Sequence, residues 1–143
     1  MKRSLTMGIA IAVLALGVSA CGDDDAGGGG TQIAATATNF AFSPDLWTVA
    51  AGEEVTLTLT NAGDEEHEWV IMNSPITSEA EFAEDLVYWE MKVATGAVAT
   101  DTFTAPAAGT YQVICALEGH FDSGMEGELV AELNSFMLDP TMA

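Results

Sequence analysis

From residue 31 onward the chain alternates apolar and polar residues in short runs. Val55, Leu57 and Leu59 are separated by Thr56, Thr58 and Thr60, the two-residue period of a strand with one buried face. Gly52 before this run and Asn61-Ala62-Gly63 after it mark turns. In the next run His67, Trp69 and Ile71 share one face, while Glu66, Glu68 and Val70 share the other, so His67 points where the core points. A third strand carries Tyr111, Val113 and Cys115 on one face after a turn at 106–109, and Leu129, Ala131 and Leu133 mark a last one. Less distinct strands are predicted over 32–42, 46–50 and 97–104. One segment departs from this period. Ser78 followed by Glu81 has the form of a capping box, and Phe82, Leu86 and Trp89 recur at helical spacing, which predicts an amphipathic helix over 78–91. The pattern describes an all-β fold, a Greek-key β-sandwich of seven to eight strands with one short helix inserted.

The 143 residues suffice for one such module, placed at 31–135 with a short tail at 136–143. The N-terminus reads differently. Lys2 and Arg3 precede an apolar run from Leu5 to Val18 that ends in small residues, the form of an export signal over 1–20. The run is too short to span a bilayer. Val18-Ser19-Ala20-Cys21 resembles a bacterial lipobox, which implies cleavage before Cys21 and lipid attachment to it. Residues 21–30, acidic and glycine-rich, then form a flexible, self-repelling tether. The expected location is the outer face of the cytoplasmic membrane or another extracytoplasmic membrane surface.

With Cys21 taken by lipid, Cys115 has no disulfide partner and is a buried thiol, a reactive one or a ligand. Charge narrows the partners. The chain has 22 acidic residues against three basic ones, Lys2, Arg3 and Lys92, and the first two leave with the signal. Nucleic acid is excluded as a partner, because phosphate binding needs cations to replace counterions. The acids are spread along the chain, which fits either a high-salt surface or attraction to a basic partner.

The candidate chemistry lies in Cys115-Ala116-Leu117-Glu118-Gly119-His120-Phe121-Asp122-Ser123-Gly124-Met125-Glu126-Gly127. A copper ion that cycles between Cu(I) and Cu(II) takes a soft thiolate, borderline imidazoles and a weak axial thioether. Cys115, His120 and Met125 supply three of these donors, and the one other histidine, His67, supplies the fourth. Gly119, Gly124 and Gly127 are expected to make the tight turns of the loop. Singly, each donor type is more often a packed core residue. Their combination near strand ends of one sandwich favours a metal site.

Across about residues 32–134 the chain resembles the cupredoxins, the small blue copper proteins. Residues 42–49 followed by Ala51-Gly52-Glu53-Glu54-Val55 are similar to that family's second-strand and turn pattern. His67-Glu68-Trp69-Val70 is similar to its first-ligand strand, and 111–127 to its ligand loop. The C-x4-H-x4-M spacing is similar to that of auracyanin and rusticyanin. The resemblance implies one type 1 copper ion, with His67, Cys115 and His120 as equatorial ligands and Met125 as the weak axial one. It also implies that His120 is the electron exit, within an apolar docking patch that includes Leu117 and Phe121 and is ringed by acids. One departure is visible. Many members carry Asn after the first histidine, braced to a hydroxyl residue after the cysteine, and here those positions are Glu68 and Ala116.

The expected function is a membrane-tethered electron shuttle, monomeric, working with redox proteins such as a cytochrome or a membrane electron-transfer complex. An enzyme of the multicopper oxidase or nitrite reductase kind needs further histidines, and none remain. A copper carrier or scavenger is the alternative, disfavoured because Met72, Met91, Met137 and Met142 are scattered.

Overall fold

The computed structural model describes residues 30–134; the signal segment, Cys21, most of the tether and the tail at 136–143 lie outside the described residues. Among the described residues nine strands form: β1 (Thr31–Thr38), β2 (Ala41–Ser43), β3 (Leu46–Ala50), β4 (Glu54–Asn61), β5 (His67–Met72), β6 (Val87–Val93), β7 (Val98–Thr104), β8 (Gly109–Ile114) and β9 (Glu126–Glu132). They make a four-stranded sheet in the order β2-β1-β4-β7 and a five-stranded sheet in the order β3-β9-β8-β5-β6. Two neighbouring pairs, β1 with β4 and β3 with β9, run parallel, and the others are antiparallel.

The period-2 reading of β4 holds: Val55, Leu57 and Leu59 are fully buried while Thr56, Thr58 and Thr60 are not. Facing them are Trp69 and Ile71 of β5, Val113 of β8 and Leu129 and Ala131 of β9. Trp47 ties the sheets together, its Nε1–H donating to the Ala34 carbonyl at 3.0 Å and its ring meeting Trp69 edge-on at 5.2 Å. Leu133 is exposed beyond the end of β9.

The predicted helix over 78–91 does not form. The segment contains two 3-10 turns, Glu79–Glu81 and Glu84–Leu86, separated by Ala83 in an extended conformation. Ser78 makes no side-chain cap; the Glu81 carboxylate instead accepts from the Thr77 N–H and hydroxyl. A helix this short is costly to nucleate. Its last residues, Val87-Tyr88-Trp89, are β-branched and aromatic, and pair with β5 as the start of β6. The helical spacing of Phe82 and Leu86 still reports burial. Both pack on a second cluster of Val70, Met72, Ile76, Ile114 and Phe121, on the opposite face of the five-stranded sheet. Because residues 73–86 cover that face, β5 is apolar on both sides from Val70 onward.

Leu57→Ala would leave a hole between the sheets and cost about 2–5 kcal/mol; a denaturant titration should show a lowered midpoint with an unchanged slope.

Candidate metal centre

His67 begins β5, and Cys115 follows β8 directly, one strand away in the same sheet. Both side chains point into the space between the sheets and are fully buried. The ligand loop from 115 to 125 is closed by its own backbone. The Cys115 N–H donates to the Met125 carbonyl at 3.1 Å, and the Met125 N–H donates to the His120 carbonyl at 3.1 Å. Tight turns at Gly119 and Gly124 make this closure possible, with φ of 82° and 97°, where a Cβ would be strained. Gly127 does not serve as a turn: it lies in β9, and a Cβ there would come within 2.7 Å of the Asp45 carbonyl oxygen and 2.8 Å of the Trp47 ring.

The loop brings His120 back over the strand ends. The Nδ1 atoms of His67 and His120 lie 3.2 Å apart, and Cys115 Sγ lies 3.3 Å from His120 Nδ1. Donor atoms of the three residues all fall within 4.8 Å of one another. Met125, also fully buried, is held beside them by its two backbone bonds.

Each outer imidazole nitrogen faces an oxygen. His67 Nε2 is 3.0 Å from Asn39 Oδ1, and the same oxygen accepts from the Asp64 N–H at 3.2 Å. His120 Nε2 is 2.8 Å from the Glu65 carboxylate. An oxygen that only accepts requires a proton on each Nε2, which leaves both Nδ1 atoms as lone pairs turned toward each other. Burial, and then the nearness of His120, hold the His67 pKa below its ordinary value, so this ring is neutral at neutral pH. Two facing lone pairs and a sulfur whose proton an ion can displace are chemistry suited to a soft cation. Gly63 is part of the arrangement, since a Cβ there would come within 2.3 Å of Asn39 Oδ1 and 2.8 Å of His67 Nε2.

Burial pushes the Cys115 thiol above its ordinary pKa, against hydrogen bonds to its sulfur from the Glu68 and Leu117 amides. The Glu68 N–H lies 3.3 Å from Sγ. Without a metal the sulfur therefore keeps its proton at neutral pH, and an incoming ion must displace it. The Glu68 side chain does not replace the missing brace to position 116. It pairs with Lys92 Nζ at 3.0 Å, and Glu66 sits on the same amine at 3.5 Å.

The family-model match settles which fold family this is: residues 8–131 match the model for a cupredoxin-like domain. The chain belongs to this family. Auracyanin-A of Chloroflexus aurantiacus is 30% identical over 117 residues, covering 69% of this chain and 72% of that protein. The copper-resistant cuproprotein CopI of Rubrivivax gelatinosus is 30% identical over 96 residues, covering 62% of this chain and 58% of that protein. The solved structure of auracyanin A, a "blue" copper protein from C. aurantiacus, superposes with a TM-score of 0.61 at 28% identity, covering 73% of this chain and all of that one. In this cupredoxin domain, His67, Cys115, His120 and Met125 form an arrangement of the type 1 copper kind.

The rim of the domain differs from the expected docking patch. Phe121 is buried in the second cluster, because the tight turn at His120 swings the next side chain to the opposite face of the sheet. Leu117 is partly buried against the main core. His120 is 5% exposed, and the ring stacked edge-on against it at 4.9 Å is Phe40. Asn39, Phe40 and Glu65 are not marked in the sequence, and Gly63 is marked there only as part of a turn. No periodicity marks them, since they lie in two loops that meet only in three dimensions.

The excursion at 73–86 also holds the ligand loop. The Glu79 carboxylate accepts from the Gly119 N–H at 2.9 Å and the Asp122 N–H at 3.2 Å, while Asp122 Oδ1 accepts from the Glu79 N–H at 3.0 Å. The Gly119 amide, followed by those of Asp122 and Phe121, lowers the Glu79 pKa from its ordinary 4.5. A carboxyl depressed in the fold stabilises it above the unfolded value and ceases to do so as pH falls. Glu79→Gln should therefore be less stable than the unaltered protein above pH 4.5. The two should converge in denaturation midpoint at lower pH, and amide exchange at Gly119 and Asp122 should be faster in the variant at pH 7.

Proposed function

We propose that this protein is a single-electron carrier that holds one copper ion at His67, Cys115, His120 and Met125, tethered through Cys21 to an extracytoplasmic membrane surface. The observation that carries the reading is the convergence of two imidazole Nδ1 atoms and a thiol sulfur within 4.8 Å in a buried site. A bound copper ion supplies the one-electron Cu(II)/Cu(I) couple. The chain keeps the donors nearly stationary as charge changes: His67 and Cys115 stand at the ends of hydrogen-bonded strands, and the loop carrying His120 and Met125 is closed by backbone bonds. A small change of geometry between the two states favours fast transfer. Cys115 is fully buried, which denies it to a substrate and favours a carrier over an enzyme. The partners are redox proteins, such as a cytochrome or a membrane electron-transfer complex, with a basic face suited to the acidic surface of a monomer. That acidic surface also disfavours nucleic acid.

The relative named a copper-resistant cuproprotein favours a second reading, in which the same site holds copper for transfer or storage. Redox titration of the copper-loaded protein separates the two. A reversible one-electron couple with retained copper supports the carrier; ready loss of Cu(I) to a competing chelator overturns it.

Cys115→Ser should abolish the intense thiolate-to-copper absorption in the visible spectrum, and survival of the colour would show that the sulfur is not a ligand. Cys21→Ser should move the protein from the membrane fraction to the soluble fraction after cell lysis, and continued membrane association would count against lipid attachment at Cys21.

A further inference from the structure

We infer that Glu65 is a positioning residue of the metal centre, which orients His120 and biases the site toward the oxidised ion; this deepens the copper reading and rests on it. The two ligand histidines are held from outside in different ways. His67 is held by a neutral amide oxygen, Asn39 Oδ1, at 3.0 Å, and His120 by an anionic carboxylate, Glu65, at 2.8 Å. Both oxygens fix the proton on Nε2 and free Nδ1 for the ion. Only the second adds a negative charge.

Glu65 is more than a surface acid that happens to lie nearby. Its main chain is anchored by Asn61, a buried side chain with every polar atom used: Nδ2 donates to the Glu65 carbonyl at 2.7 Å and to the Val93 carbonyl at 3.3 Å, and Oδ1 accepts from the Gly63 N–H at 2.9 Å. The neighbouring Asp64 amide is held by Asn39. Two asparagines from different strands and loops thus fix the segment that presents this carboxylate. The Glu65 side chain is 52% exposed while the His120 side chain is 6% exposed, so the carboxylate covers the outer edge of the ring, with Phe40 packed against its side.

An anion bonded to a ligand imidazole raises the basicity of that ligand and stabilises the ion of higher charge. The carboxylate accordingly lowers the reduction potential. It also covers the ring edge through which an electron would leave, so a partner approaching His120 meets Glu65 before the imidazole.

Glu65→Gln keeps an acceptor oxygen and removes the charge, Glu65→Ala removes both, and Glu118→Gln removes an equal charge from an exposed site in the ligand loop. In the full-length copper-loaded protein, Glu65→Gln and Glu65→Ala should each lose about tenfold in preference for Cu(II) over Cu(I), read as a rise in potential of about 59 mV for one electron, with a much smaller shift in Glu118→Gln. In the copper-free protein at fixed pH, nitrogen-resolved NMR should show the His120 Nε2–H protected in the unaltered chain and in Glu65→Gln, and exchanging between tautomers in Glu65→Ala. Equal potential shifts in Glu65→Gln and Glu118→Gln, or an equally protected Nε2–H in Glu65→Ala, would overturn the inference. Failure of the unaltered chain to take up copper with a thiolate absorption would instead overturn the carrier reading, and the copper-free spectra would still decide whether Glu65 orients His120.

Discussion

Two buried imidazoles turn bare nitrogens toward a buried thiol, and that arrangement is tolerable only because each ring places its proton on an oxygen outside it. His67 uses Asn39 and His120 uses Glu65. If either oxygen were lost, the ring could flip its tautomer and put a proton where the ion must bind. Much of the surrounding structure serves this one constraint. Asn61 fixes the backbone that carries Glu65, and the absence of a side chain at Gly63 lets Asn39 approach His67. The register of β5 against β6 and β8 then sets where His67 and Cys115 stand.

The remaining ligands arrive on a loop, and a loop holds a metal with constant geometry only if it is itself held. Two independent sets of bonds do this. The backbone of 115–125 closes on itself, and the carboxylate of Glu79 grips the Gly119 and Asp122 amides from outside. The same excursion is fastened to β8 at a second place, where the Gln112 amide exchanges hydrogen bonds with the Ile76 backbone at 2.9 and 3.0 Å. A segment that would otherwise be an insertion between two strands therefore covers the outer face of the sheet and braces the site.

Charge is distributed with equal economy. Lys92, the single cation among the described residues, lies between Glu66 and Glu68. Glu68 is the acid whose amide bonds to Cys115 Sγ and whose charge acts against ionisation of that thiol. An exposed ion pair contributes little to stability. Because Glu68 also acts on the sulfur, the pair has a bearing on the site that its energy alone would not suggest. The brace between side chains that the family resemblance led one to expect is absent, and a charge pair at the sheet edge stands near its position.

Much of this protein is legible from its letters. The alternation of Val55, Leu57 and Leu59 with threonines, and the shared face of His67, Trp69 and Ile71, follow from the geometry of a strand, in which successive side chains must point apart. Three of the four donors were recognisable because their chemistry is scarce: one cysteine and two histidines occur among the described residues. Helical spacing at 78–91 misled, since burial every three to four residues also arises when two short turns lie across a sheet. Phe121 misled for a related reason, because a tight turn decides which side of the sheet a side chain reaches. What no local pattern contains is the meeting of the Asn39 and Gly63–Glu65 loops over the imidazoles. Hydrogen bonds between residues 25 to 55 positions apart depend on how two sheets pack, so the donors are written in the sequence, whereas their protonation and orientation are decided by the tertiary structure.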